Sequence, residues 1–401
     1  MPDQPLEDLA ALPEGYFYCV DDVACLGEDR LSEAEYTDAL PQTFDRIDRA
    51  LHPHRLGRSQ MSNDTGALSS EQSYILRAYF DVFAATGNVE IMKRAARHVK
   101  NVLERRDDVT GATDYRGVSG PTWRTTGFSS APMAFLLTDG QIASSIAEFA
   151  RIVLATPSLQ DELTDEGLTL RDFANTVLDR VEETIAQYES TWDAKEKLYR
   201  VPADAAFLSF AGRSVPLNWE AAMARAMTSV YRARGGAALK RRLEDMAAHF
   251  KSNWVRKTDN TVYWTYWADT SRTIEDISHA HLNVNWMLEA WQGGILFSYS
   301  EVVTVSVSFA RNVIKRDRTF RYFLDGTGTR EPVTTAVLWV PLSIFDSRIY
   351  QASWSFFRAA AADPTKTSIA FNGSRITELL GVAHLLRYRA DLLGSREVAP
   401  G

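Results

Sequence analysis

The chain has 401 residues, 45% hydrophobic and 24% charged, a composition that suits a globular protein and not a disordered or fibrous one. Its formal net charge of −8 argues against nucleic acid as the main partner, since a basic surface supplies most of that affinity. Two cysteines, Cys19 and Cys25, are too few for a disulfide framework or a four-cysteine zinc site, so reduced, buried thiols are expected.

The amino terminus, Met1 to Asp8, is acidic and polar and lacks the basic start and apolar core of a signal peptide. No apolar run approaches the ~20 residues of a spanning helix. The longest, Gly294 to Ala310, is interrupted by Ser298, Ser300, Glu301, Thr304, Ser306 and Ser308. A cytoplasmic protein without a membrane partner is therefore expected. Residues 1–30 read as an extension, 31–395 as a single domain and 396–401 as a tail.

The first predicted helix lies near Ser32–Leu51. The next is opened by Ser69-Ser70-Glu71, with Ser69 as N-cap and Tyr74, Ile75, Ala78, Tyr79, Val82 and Phe83 at helical spacing. It stops at Thr86-Gly87-Asn88, and a partner follows with Ile91, Ala95, Val99, Val102 and Leu103 on one face. The same pairing recurs at Gly140–Ala155 with Leu170–Tyr188, at Asn218–Arg232 with Leu239–Trp254, and at Ser278–Trp291 with Leu296–Ile314. A less regular pair covers Thr335–Ala362. First helices start near residues 70, 139, 216, 277 and 336, a period of about 60 to 75 residues, longer than tetratricopeptide or armadillo repeats. A last helix near Ile376–Leu393 pairs with the one at Ser32–Leu51 in a sixth hairpin that would close a ring, the alternative being an open solenoid.

Four long loops, Thr110–Thr138, Trp192–Leu217, Thr258–Ile277 and Thr319–Thr335, separate the hairpins. Loops of this length are usually functional, and in a closed ring all four would collect on one rim. Val262-Tyr-Trp-Thr-Tyr-Trp267 alternates as a short β-ribbon does.

The densest chemistry lies in that third loop and the helix start after it. Trp264, Tyr266 and Trp267 offer flat faces for a sugar, and Glu275, Asp276, His279 and His281 offer proton transfer. Glu275 or Asp276 would equally serve as the N-cap of the helix from Ile277. His279 and His281 are two residues apart, so only one of them is expected to face a cavity. Asp269, Arg272, Arg124, Asp139, Asn218 and Tyr322 complete the expected binding set. Each is also a plausible cap or loop hydrogen bond. Arg116, Arg124, Arg213 and Arg272 suit a carboxylate or phosphate on the substrate. No metal site is expected, since Asp276, His279 and His281 lack further ligands at defined spacing. No Walker loop, dinucleotide fingerprint, Gly-x-Ser-x-Gly elbow or His-Glu-x-x-His occurs, and no cofactor is expected.

The hairpin "YFDVFAATGNVEIMKRAARHVKNVLERRDD", its echo "NWEAAMARAMTSVYRARGGAALKRRLEDMAAHFK" and the segment "YWTYWADTSRTIEDISHAHLNVNW" resemble the six-hairpin (α/α) toroid enzymes of carbohydrate metabolism. The resemblance spans most of residues 60–390 and implies an all-α (α/α)6 toroid with loops and short ribbons on one rim. It also implies action on a sugar or uronic-acid oligosaccharide by hydrolysis or β-elimination. The expected roles are Asp276 or Glu275 as acid–base carboxylate, His279 as proton-transfer partner, and the aromatic trio as platform. Two rivals remain: a cyclase, dehydratase or isomerase of a small apolar metabolite, whose cation aromatic faces would shelter, and a non-catalytic helical scaffold.

Overall fold

Cap chemistry decides where the helices begin and end. In the computed structural model, which describes residues 39–51, 55–268, 273–328, 334–362 and 376–397, thirteen helical stretches are labelled here. They are α1 (Ala39–Leu51), α2 (Ser73–Thr86), α3 (Val89–Glu104), α4 (Asp107–Thr110), α5 (Leu136–Ala155), α6 (Pro157–Gln160) and α7 (Leu170–Ala186). After these come α8 (Leu217–Arg234), α9 (Ala237–Ser252), α10 (Ile277–Gln292), α11 (Tyr299–Ser308), α12 (Ser347–Ala362) and α13 (Ile376–Glu397). The protein is mainly helical. Cys19, Cys25, Asp269 and Arg272 lie outside the described residues.

Helix α2 closes at Gly87, whose φ of 65° lets its N–H reach the carbonyl of Phe83, and Asn88 then caps α3 by accepting from the N–H of Glu90. Ser298 and Glu301 form a reciprocal capping box on α11. Ser69 does not cap α2. The helix is preceded by a π-turn over Leu68–Gln72, Ser69 donates its hydroxyl to Gly66 O at 3.0 Å, and the acceptor for the Leu68 and Ser69 N–H groups is Asn63 Oδ1 at 3.2 Å.

Two further elements differ from expectation. Helix α5 begins at Leu136, so Gly140 sits inside it. A Cβ at Gly140 would lie 2.5 Å from the backbone nitrogen of Met223, so this glycine allows α5 and α8 to touch backbone to backbone. The first arm of the fifth pair is a 3-10 helix, Thr334–Ile344, with Pro341 inside it. Proline supplies no N–H and clashes with an α-helical carbonyl four residues back, so a regular α-helix is disfavoured there.

Helix α2 packs on α5, α5 on α8, α8 on α10, α10 on the 3-10 segment, that segment on α13, and α13 on α2. A second set lies against these: α3 on α2, α7 on α5, α9 on α8, α11 on α10, α12 on the 3-10 segment and α1 on α13. The alternating stretch pairs only in part. Val262–Tyr263 (β4) runs antiparallel to Val255–Arg256 (β3), with Val255 opposite Tyr263, and Trp192–Asp193 (β1) pairs Leu198–Tyr199 (β2) in the same way. Among the described residues no helix is long and apolar enough to cross a membrane.

Candidate functional site

Between the elements of the first set lies a partly open cavity with about 410 Å3 of space between atoms, solvent at its mouth included. Helices α2, α5, α8, α10 and α13 line it, through Tyr74, Arg77, Gln141, Ser145, Glu148, Arg225, His281, Asn285 and Leu380 among others. A wall this polar inside a helical interior is unusual, because each buried polar group needs a partner.

Most of the partners are present, although Arg77 Nε and Asn285 Oδ1 have none among the described residues. His281 donates Nδ1–H to the carbonyl of Ser278 at 2.6 Å, which leaves Nε2 as an acceptor for the Tyr74 hydroxyl at 3.1 Å. Burial, aided by the positive charge of Arg225, pushes the His281 pKa down to about 3, against the pull of the Ser278 carbonyl, so the ring is neutral. Burial pushes Tyr74 up to about 12, only partly offset by Arg225 and by a hydrogen bond with Gln141, so its hydroxyl keeps its proton.

Deeper in the cavity, Arg77 and Arg225 both grip Glu289, at 2.5 Å and 2.7 Å from Oε1. Burial would raise this carboxyl, but Arg225 and Arg77 together hold it down at about 2. Glu148 is held in a two-pronged pair by Arg151, with both bonds at 2.7 Å, and accepts from Ser229 at 3.1 Å. Farther along, Asp81 meets Arg387 at 2.6 Å and His384 at 2.5 Å, and His384 is fully enclosed.

A second cluster stands at the start of α10. Asp276 caps the helix by accepting from the N–H groups of Ser278 and His279, and its other oxygen lies 2.7 Å from His279 Nδ1. Burial would raise Asp276, yet His279 and Ser278 lower it to about 2. The side chain of His279 is 46% exposed and its ring meets Tyr266 edge-on at 5.4 Å. Tyr266 in turn meets Trp267 at 5.7 Å, and Trp267 carries Phe210 at 5.8 Å and the Arg213 guanidinium 4.5 Å over its ring.

No family model and no curated protein matches this chain.

The expected residues therefore separate. His281 lines the cavity and His279 does not. Tyr266, Trp267, Asp276 and His279 stand together outside the cavity lining. Trp264 is not a surface platform: it is a core residue against Phe250, 1% exposed. Glu275 is fully enclosed with neither carboxyl oxygen hydrogen-bonded, and burial followed by the charge of Asp276 pushes its pKa well above the usual range, so it sits as a sealed neutral acid. Asp139 accepts from Tyr188 and from the N–H of Trp123, a structural cluster in which burial lifts it to about 7. Arg124 pairs with Asp64, and Asn218 is buried at the start of α8. Tyr322 packs edge-on against Phe323 at 5.0 Å and gives its carbonyl to the N–H of Ile277.

Sequence reasoning missed Tyr74, Arg77, Ser145, Glu148, Arg225, Asn285 and Glu289. A signal was present. Gln141, Ser144, Ser145 and Glu148, like His281, Asn285 and Glu289, form polar stripes at helical spacing within otherwise apolar helices.

Proposed function

We propose that the protein is a six-hairpin toroid enzyme that acts on an acidic, uronic-acid-containing sugar by β-elimination. The toroid is supported by the sequence of contacts, in which six elements each pack on the next and the last returns to the first, with a partner behind each. The cavity they line is then the central one.

The observation that carries the chemistry is the Tyr74–His281 hydrogen bond on the cavity wall. β-Elimination needs a group that takes the proton alpha to the substrate carboxylate and one that protonates the departing oxygen. A neutral imidazole and a protonated phenol sharing one hydrogen bond can do both. Tyr74 oxygen takes the carbon-bound proton while passing its own to His281 Nε2, and the same path returns a proton to the leaving oxygen as the carbon–oxygen bond breaks. An incoming carboxylate near His281 raises its pKa, which strengthens this base when substrate is bound.

Charge favours an anionic ligand. Around the cavity Arg77, Arg151 and Arg225 stand against Glu148 and Glu289, one positive charge in excess, and Arg232 adds another as it donates to the Glu289 carbonyl at 3.2 Å. The same surplus would repel a carbocation, which weighs against the cyclase. Hydrolysis would need two carboxylates free to act across the sugar, whereas Glu148 and Glu289 are each clamped by arginine.

The test is incubation with a panel of uronic-acid oligosaccharides, following the ultraviolet absorbance of an unsaturated uronate. Absorbance that grows with wild type and vanishes in Tyr74→Phe and His281→Ala supports elimination. New reducing ends without that absorbance would point to hydrolysis instead.

A further inference from the structure

The ion pairs inside the cavity also define how a ligand can enter it. Tyr74, Gln141 and His281 lie near the starts of their helices, and Glu148 and Glu289 lie seven and eight residues farther along α5 and α10. At 1.5 Å per residue the cavity wall therefore runs roughly 11 Å, about two helical turns, between these levels. At the deeper level the interior is bridged from side to side: Arg77 of α2 and Arg225 of α8 both end on Glu289 of α10. Behind that bridge the space is filled by Arg232 on the Glu289 carbonyl, Arg151 on Glu148, and Asp81 with Arg387 and the enclosed His384. Breaking the bridge would strand buried charges, so it is a fixed floor and not a gate.

We infer that the cavity is a blind pocket that admits only the end of an acidic sugar chain, so that the enzyme removes short units from one terminus and does not cut within the polymer. This rests on the acidic-sugar reading above. A chain threaded through the molecule would have to pass the Arg77–Glu289–Arg225 bridge and, among the described residues, the ion pairs farther along the same helices.

Two measurements on the full-length protein test this. In the first, a long uronic-acid polymer is digested while unsaturated product, product size and viscosity are followed together. Small unsaturated products from the earliest samples, with viscosity nearly unchanged, are expected. An early fall in viscosity with intermediate-length fragments would overturn end-wise action and leave the elimination reading standing. In the second, His281→Ala is titrated calorimetrically with the same polymer at two chain lengths. Binding sites should count with chain ends, so doubling the length at equal mass halves them. Sites that count with mass overturn the inference. Chain-end binding without any unsaturated product from wild type would keep the blind pocket and remove β-elimination.

Discussion

Tyr74 and His281, 207 residues apart in the chain, meet hydroxyl to ring nitrogen at 3.1 Å on the wall of the interior cavity. Replacing either one breaks this bond, while Tyr74 would keep Gln141 and His281 would keep the Ser278 carbonyl. Tyr74→Phe and His281→Ala should each lower kcat by roughly 100- to 10,000-fold, the span general acid–base groups contribute. Far-ultraviolet dichroism and melting should show both variants folded. Full activity in either would remove that residue from the chemistry.

Glu289 takes two arginines at once, so Glu289→Ala leaves Arg77 and Arg225 buried without a counter-charge. A loss of about 3–5 kcal/mol in urea unfolding is expected. Because the folded carboxyl is held near 2 and an unconstrained one titrates near 4.5, its stabilisation is complete above 4.5 and fades as pH falls toward 2. Wild type should lose stability across that window more steeply than Glu289→Gln.

Asp139 works in the opposite direction. Burial raises its pKa from 3.8 to about 7, so its contribution is most favourable below pH 3.8 and is lost as pH rises through 7. Asp139→Asn keeps an acceptor for the Trp123 N–H and removes the charge. Its stability relative to wild type should therefore improve between pH 4 and 8, by on the order of 2–4 kcal/mol. A pH-independent difference between the two proteins would contradict this.

Gly140→Ala should be among the most damaging single-methyl additions in the protein. Its Cβ would meet the Met223 nitrogen and the Ala222 carbonyl carbon at 2.5 and 2.7 Å, and a backbone cannot rotate away as a side chain can. About 3 kcal/mol or more of destabilisation is expected, near the top of the overpacking range, measured by chemical denaturation. Retained stability would mean that α5 and α8 slide apart freely.

Asp276 separates capping from charge. Asp276→Ala should cost about 1 kcal/mol through the lost N-cap, whereas Asp276→Asn retains a good cap. Only the change to alanine should alter the melting temperature, followed by far-ultraviolet dichroism. Equal melting of the two variants would show that Asp276 contributes little as a cap.

The helices and their pairing were readable because apolar residues recur at helical spacing and glycine marks the turns, as at Gly87. The starts were less so. Asn63 supplies the acceptor for the α2 turn from five residues upstream of Leu68, a relation set by folding of the loop and not by spacing. The site was half visible. An acidic cap followed by histidines located the start of α10, and His281 does line the cavity. Tyr74 passed as one more apolar residue, because a tyrosine on an inward face looks the same whether it packs or donates a proton. Arg77, Arg225 and Glu289 were unreadable as a unit, since their meeting depends on three helices far apart in sequence.

The 3-10 segment carries a last implication. Its eleven residues, at about 2.0 Å each, span roughly 22 Å, while the sixteen residues of α10 beside it, at about 1.5 Å each, span roughly 24 Å. The chain thus covers one side of its interior at nearly full height with five fewer residues. That side is the most economical in material and the least tolerant of shortening. A deletion that α10 could absorb by fraying one turn would leave Thr334–Ile344 too short to reach from one end to the other.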